Sequence, residues 1–181
     1  MDVIFASIIK DLKIALKDKS HPYRYFTLAT VGFNNTPRLR TVVLRDMDED
    51  MNMFIYTDRR SKKITHITEN NKVSLLFFNP EKSLQVSVKA TAHLVRDDQE
   101  LSLLWKKIPK KARKDYTTSV SPGQEIKNPD EVDYLDTISY FSVIKIRPEK
   151  IEYLHLKNPN HIRVEFRKTD DNTWKGNYIA P

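Results

Sequence analysis

The chain has 181 residues with a formal net charge of +7, and 30% of its residues are charged. This length suits one domain with a complete hydrophobic core, and the charge favours acidic partners: nucleic acid, anionic lipid or a phosphorylated small molecule. Cysteine is absent, which excludes structural disulfides and thiolate metal sites and fits a cytoplasmic setting.

Three glycines (Gly32, Gly123, Gly176) lie too far apart for a dinucleotide fingerprint or a P-loop. The five histidines show no HExxH-type metal spacing, and no GxSxG elbow occurs. The N-terminus lacks the features of a signal peptide, and no apolar stretch reaches the length of a membrane span.

Residues 2 to 17 place Ile4, Ile8 and Leu12 at helical spacing, widened by Phe5, Ile9 and Leu16, which predicts a helix packed on a sheet. His21-Pro22 ends it. Tyr25 to Val31 reads as a strand, followed by a Gly/Asn/Pro turn from Gly32 to Pro37. In the next stretch Arg40, Val42 and Leu44 share one strand face, with Thr41, Val43 and Arg45 on the other. An acidic turn at Asp46 to Asp50 leads to a strand at Met53 to Thr57. Asp58 then stands where it would cap a helix whose first turns carry Arg59, Arg60, Lys62 and Lys63. Cations at the positive end of a helix are tolerated on a solvated surface and become favourable around an anion such as phosphate. Physics alone leaves both readings open.

Val73 to Phe78 is an almost unbroken apolar run and predicts a strand buried on both faces. From Leu84 to His93 apolar and polar residues alternate, with Gln85 on the polar face, where an ordinary solvated residue is the simpler reading. Strands at this spacing predict a mainly β, α+β domain built on a small antiparallel barrel. Asp97 to Lys107 reads as a helix opened by Asp97 and Glu100. A polar loop from Pro109 to Pro129 follows, then a short helix at Asn128 to Glu131. The rest predicts strands near 140–147, 150–156, 161–168 and 174–180. Neither repeats nor low-complexity segments occur.

Arg40-Thr41-Val42-Val43-Leu44-Arg45, then Tyr56-Thr57, then Ser61-Lys62-Lys63, then Leu84-Gln85-Val86-Ser87-Val88 resembles the flavin-binding core of the pyridoxamine 5′-phosphate oxidase family. The resemblance covers residues 20 to 95 well and the C-terminal strands loosely. It implies a single split-barrel domain over residues 1–181 that holds FMN at a homodimer interface. It assigns Arg40, Lys62 and Lys63 to the phosphate and counts Ser61 among the cofactor-binding residues. It gives Thr41 to Leu44 to the ring through their backbone and Arg45 to a position where relatives often carry a substrate-touching lysine. Tyr56, Thr57 and Gln85 match flavin-contacting positions. Lys62-Lys63 stands where the family often has Arg-Lys, which keeps the charge and loses a bidentate fork. The family's ring-enclosing Trp is replaced by Tyr153 or Leu154, and Arg163 matches an arginine supplied across the dimer. The family's substrate-gripping Arg-Leu-His is broken: Asn160-His161-Ile162 precede Arg163.

Three readings follow. One is an FMN-dependent oxidoreductase distinct from pyridoxamine phosphate oxidase itself. Another is a non-catalytic protein that binds flavin or another anion, with no residue assigned to acid–base chemistry in either case. A basic barrel for single-stranded nucleic acid ranks last, because the aromatics lie in apolar runs and are not interleaved with Lys and Arg.

Overall fold

A computed structural model describes all residues from 1 to 181. In chain order the elements are α1 (Asp2–Lys17), β1 (Tyr25–Val31), β2 (Pro37–Val43), β3 (Asp46–Met47), β4 (Met53–Asp58), α2 (Lys62–Glu69), β5 (Lys72–Asn79), β6 (Leu84–Leu94), α3 (Asp98–Lys107), α4 (Lys110–Arg113), β7 (Phe141–His155), β8 (Ile162–Lys168) and β9 (Trp174–Tyr178). The strands form one curled antiparallel sheet, ordered β2-β1-β5-β6-β7-β4-β3, with β8 and β9 branching from β7.

The branch explains the split in the barrel. Along one edge β7 pairs with β6 over most of its length. Along the other, residues 141–146 pair with β4 and residues 150–155 pair with β8. The sequence predicts two strands here because Pro148 interrupts the pattern. In fact β7 is continuous: Lys89 pairs with Lys150 and Ala90 with Pro148, so Glu149 is an extra residue in a bulge. A bulge tolerates a residue that cannot donate a ladder hydrogen bond.

The barrel interior takes the even residues of β1 and alternate residues of β5 to β8. Phe26 stacks on Phe77 with ring centroids 4.6 Å apart, and Leu28, Leu75, Val86, Val88, Ile144 and Ile151 complete a buried cluster. Ile8, Leu12 and Ala15 of α1 close one side of it, as the helical spacing predicts. Phe5 reaches Phe166 at 5.0 Å and Trp174 at 5.5 Å. Gly176 of β9 permits that packing, because a Cβ there would lie 2.6 Å from the Phe166 ring.

β5 corrects one expectation. Only Val73, Leu75, Phe77 and Asn79 are buried, whereas Leu76 and Phe78 lie on the outer face, with Phe78 51% exposed. Tyr25 and Leu39 join them there. The run is apolar on both sides because both sides carry apolar residues; just one of them faces this chain's own core.

Aligned at its start by Asp97, whose Oδ1 accepts from the Glu100 N–H at 2.8 Å, α3 packs Leu104 against Phe54 and Val143. The segment after it is more ordered than a bare loop. It contains α4, and its backbone is tied by Leu135 N to Thr117 O at 2.7 Å and Tyr140 N to Tyr116 O at 2.8 Å. The helix expected near Pro129 is a single 3-10 turn, with the Asn128 side chain accepting from Asp130 N.

Candidate anion-binding site

Two elements distant in sequence build the site. Arg40 lies opposite Leu28 in the β1–β2 ladder and turns inward. Its Nη1 donates to Leu28 O at 3.2 Å and to Thr30 Oγ1 at 2.8 Å, and Thr30 Oγ1 is also 3.1 Å from His66 Nδ1. Facing it is the start of α2. Ser61 holds the N-cap position but makes no side-chain cap hydrogen bond. Its hydroxyl instead sits 3.2 Å from Thr57 Oγ1, and Lys63 Nζ donates to both Thr57 Oγ1 (2.9 Å) and Ser61 Oγ (3.2 Å). At the first turn of a helix, N–H groups such as those of Lys62 and Lys63 have no intrahelical acceptor.

Between these elements lies an open cavity of about 560 Å³, lined by Arg38, Arg40, Ser61, Lys62, Lys63 and His66 together with Pro37, Leu39, Pro122 and Gly123. Its electrostatics are uniform in sign. Burial and the nearby Arg40 pull the Lys63 ammonium below its ordinary range. Burial, then Arg38, does the same to Arg40. Burial, then Arg40 and Arg38, pulls His66 down. These cations disfavour one another, and an anion in the cavity would relieve all three.

Asp58 does not cap α2. Its buried carboxylate accepts from Arg60 N at 2.7 Å and grips the Arg60 guanidinium at 2.7 Å. Arg60 in turn reaches the carbonyls of Thr118, Ser119 and Val120 and lies over the Tyr140 ring. Arg59 also packs over Tyr140. Both arginines therefore leave the cavity, and only Lys62 and Lys63 of the four predicted cations line it. The fixed loop is what brings Pro122 and Gly123 to the cavity wall.

Beside the cavity runs the free edge of β2, which pairs with β1 alone. Leu44 N donates to Arg24 O and Gly32 N to Thr36 O, so even-numbered residues of β2 bond inward. By antiparallel alternation the backbone groups of Leu39, Thr41 and Val43 point off the sheet. Val42 and Leu44 turn their side chains to the core. Arg45 follows Leu44 and packs near Tyr56 (5.9 Å to the ring), with its Nε buried and unpartnered. Tyr56 itself meets Phe141 edge-on, and burial, then Asp46, pushes its phenol up to about 12.

The remaining predicted residues form a second group. Gln85 of β6 lies opposite Leu154 of β7, and Leu154 opposite Arg163 of β8, making one row on the outer sheet face. Arg163 donates to Glu152 at 2.9 Å. Tyr153 points the other way: it is buried in the interior beneath α1, so Leu154 is the residue on the face of Gln85. Arg40 and Gln85 stand on opposite faces, three strands apart, roughly 14 Å at the ordinary strand spacing. One copy of the chain does not bring the two groups together.

Sequence reasoning missed Thr30, Arg38 and His66. A signal existed for His66: it lies three residues after Lys63 and four after Lys62, on the same helix face.

Comparison with known proteins agrees with this architecture. Residues 13–155 match the family model described as pyridoxamine 5′-phosphate oxidase. A pyridoxine/pyridoxamine 5′-phosphate oxidase of Agrobacterium fabrum is 28% identical, over 94% of this chain and 88% of its own. One from Crocosphaera subtropica is 26% identical, over 86% and 78%. Among solved structures, a pyridoxamine 5′-phosphate oxidase-related, FMN-binding protein of Nostoc punctiforme superposes with a TM-score of 0.80 at 23% identity, covering 97% of this chain and 96% of that one. PhzG of Burkholderia lata, solved with tetrahydrophenazine-1-carboxylic acid, superposes at 0.78 and 17% identity, covering 99% and 91%. The fold is the split barrel of these proteins, and the chain belongs to the pyridoxamine 5′-phosphate oxidase family.

Proposed function

We propose that this protein binds FMN and is an oxidoreductase distinct from pyridoxamine phosphate oxidase itself. The observation that carries the reading is the cavity in which Arg40, Lys62, Lys63 and the hydroxyl of Ser61 converge from β2 and α2. A phosphate needs cations and donors, and a flavin ring needs an apolar wall with polar groups at its edge. The unpaired edge at Thr41 and Val43 offers those groups beside the phosphate site. Thr57 belongs to the site by holding Lys63, and Tyr56 and Arg45 lie further along the same strands.

The reading includes a homodimer in a cytoplasmic setting. Gln85, Leu154 and Arg163 would serve the flavin of the opposite subunit, which accounts for their separation from Arg40 within one chain. The apolar outer face at Tyr25, Leu39, Leu76 and Phe78 suits such an interface. Bound flavin would supply the redox chemistry, and the protein's part is to bind, orient and exclude water.

A specific observation keeps pyridoxamine phosphate out of the proposal. The family's substrate-gripping Arg-Leu-His is interrupted here, and the Arg163 guanidinium is already paired with Glu152. The same observation favours a second reading, a flavin or anion carrier without turnover.

The visible spectrum of purified protein, before and after adding FMN and desalting, tests the first step. A flavin spectrum retained at about one per chain supports it and opens a substrate screen, beginning with pyridoxamine phosphate and reduced nicotinamides. Colourless protein that takes up no FMN overturns it.

A further inference from the structure

His66 sits at the back of the cavity, 2% exposed, on the helix that carries Lys62 and Lys63. Its ring is held on two sides. Phe33 meets it edge-on at 5.5 Å, and Thr30 Oγ1 lies 3.1 Å from Nδ1. Thr30 Oγ1 already accepts from Arg40, which can only donate, so the hydroxyl proton is free for Nδ1. With the hydroxyl donating to Nδ1 the imidazole proton sits on Nε2; the other tautomer is equally open to the pair, since a hydroxyl oxygen accepts two bonds. Nε2 has no protein partner, yet the residue borders both the cavity described above and a smaller one shared with Phe33, Thr36, Arg38 and Lys62.

Nε2 is not fully enclosed, so a ligand in the cavity can reach it. Here the groups facing the ring are cations from two elements, Arg38 and Arg40 of β2 and Lys62 of α2, with Glu69 the one acidic group nearby. A neutral imidazole suits that field while the cavity holds no anion. A phosphate dianion reverses the field, because its charge outweighs the repulsion that keeps the second proton off the ring.

We propose that His66 is a phosphate-recognition residue of this site, donating Nε2–H to a phosphomonoester and taking up a proton as the dianion seats. The inference rests on the reading of the cavity as the FMN phosphate site, and it deepens that reading. Once protonated, Nδ1 also becomes a donor, so Thr30 Oγ1 accepts from both His66 and Arg40 and turns its own proton elsewhere. The three residues then act as one unit. Phosphate binding should tighten as pH falls toward the free imidazole's titration, apart from the ligand's own protonation.

The test is NMR titration of the His66 ring in the wild-type protein, assigned by the signal that disappears in His66→Gln. It is run free, then saturated with inorganic phosphate, then with FMN. The His66 midpoint should rise by about one pH unit or more with either ligand, as a nearby opposite charge requires. His66→Gln should bind FMN roughly tenfold more weakly at pH 6.5, the loss of one charge-assisted hydrogen bond, while riboflavin affinity stays unchanged. A midpoint that ignores saturating phosphate and FMN overturns the proposal, as does wild-type FMN affinity in His66→Gln. The two readings separate cleanly. FMN retention with an unmoved His66 leaves the flavin and removes this residue. A phosphate-induced rise without FMN uptake supports His66 and removes the flavin.

Discussion

The Arg60 guanidinium is gripped by the Asp58 carboxylate at 2.7 Å and lies 3.4 Å from the centre of the Tyr140 ring. Asp58 ends β4, Tyr140 precedes β7, and the carbonyls that Arg60 reaches belong to the loop at Thr118 to Val120. One side chain thus clamps three segments behind the anion cavity. Arg60→Ala strands a buried carboxylate and should cost about 3 kcal/mol. Asp58→Asn combined with Arg60→Ala should recover part of that loss. Urea unfolding measures both, and limited trypsin digestion should cut faster within residues 113–127 in either variant. Equal stability of wild type and Arg60→Ala would remove the clamp.

Arg40 and Lys63 meet the cavity from opposite sides. Replacing both with alanine should abolish FMN retention, at least a hundredfold weaker binding, since each charge-assisted contact is worth about 1.5–3 kcal/mol. The far-ultraviolet circular dichroism should not change, because neither side chain belongs to the hydrophobic core. Unaltered flavin affinity in the double variant would discard the site assignment.

The outer sheet face offers a test of self-association. Phe78→Arg with Leu76→Glu places two charges where Leu76 and Phe78 are exposed beside Tyr25. Sedimentation velocity should show a homodimer for wild type and a monomer for this variant, with flavin lost in parallel. A monomeric wild type that retains FMN would separate cofactor binding from the pairing of subunits.

His66 also predicts how stability depends on pH in phosphate-free buffer. Burial and the neighbouring arginines hold its folded-state titration below the ordinary histidine value. The unfolded chain therefore takes up its proton first as pH falls. Stability from this group is intact above about pH 6.5 and declines below it. Guanidinium unfolding between pH 7.5 and 5 should show a shallower decline in His66→Gln.

Tyr23 is buried with an unpartnered hydroxyl, and burial drives its phenol well above the ordinary value. Tyr23→Phe should be neutral or stabilising by up to about 1 kcal/mol, since it removes an unsatisfied group and keeps the ring against Phe77. Thermal unfolding decides it.

Much of this architecture was legible in the residues. Tyr25–Val31, the alternation from Leu84, and the α1 stripe at Ile4, Ile8 and Leu12 each carry one strong period, and all three formed as read. Arg40, Ser61, Lys62 and Lys63 were picked out together by resemblance, and β2 and α2 bring them to one cavity. What local pattern could not supply was pairing. Asp58 looks like a helix cap until Arg60 is seen folded back on it. Tyr153 and Leu154 differ only in which side of β7 they occupy, and the bulge at Glu149 sets that phase. His66 gains its meaning from Thr30, a residue thirty-six positions away.

The same bulge gives β7 a counting function. Two sets of partners, β4 before it and β8 after it, are kept in step by one surplus residue. The surplus residue switches which residue numbers face inward, from Ile144 and Ile146 before it to Ile151 and Tyr153 after it. Deleting Glu149 would join Pro148 to Lys150, still opposite Lys89, and leave a regular ladder with those faces kept. The half of the strand that pairs with β4 would be untouched. A single residue without a ladder partner thus lets odd-numbered residues continue the oily side that even-numbered ones began.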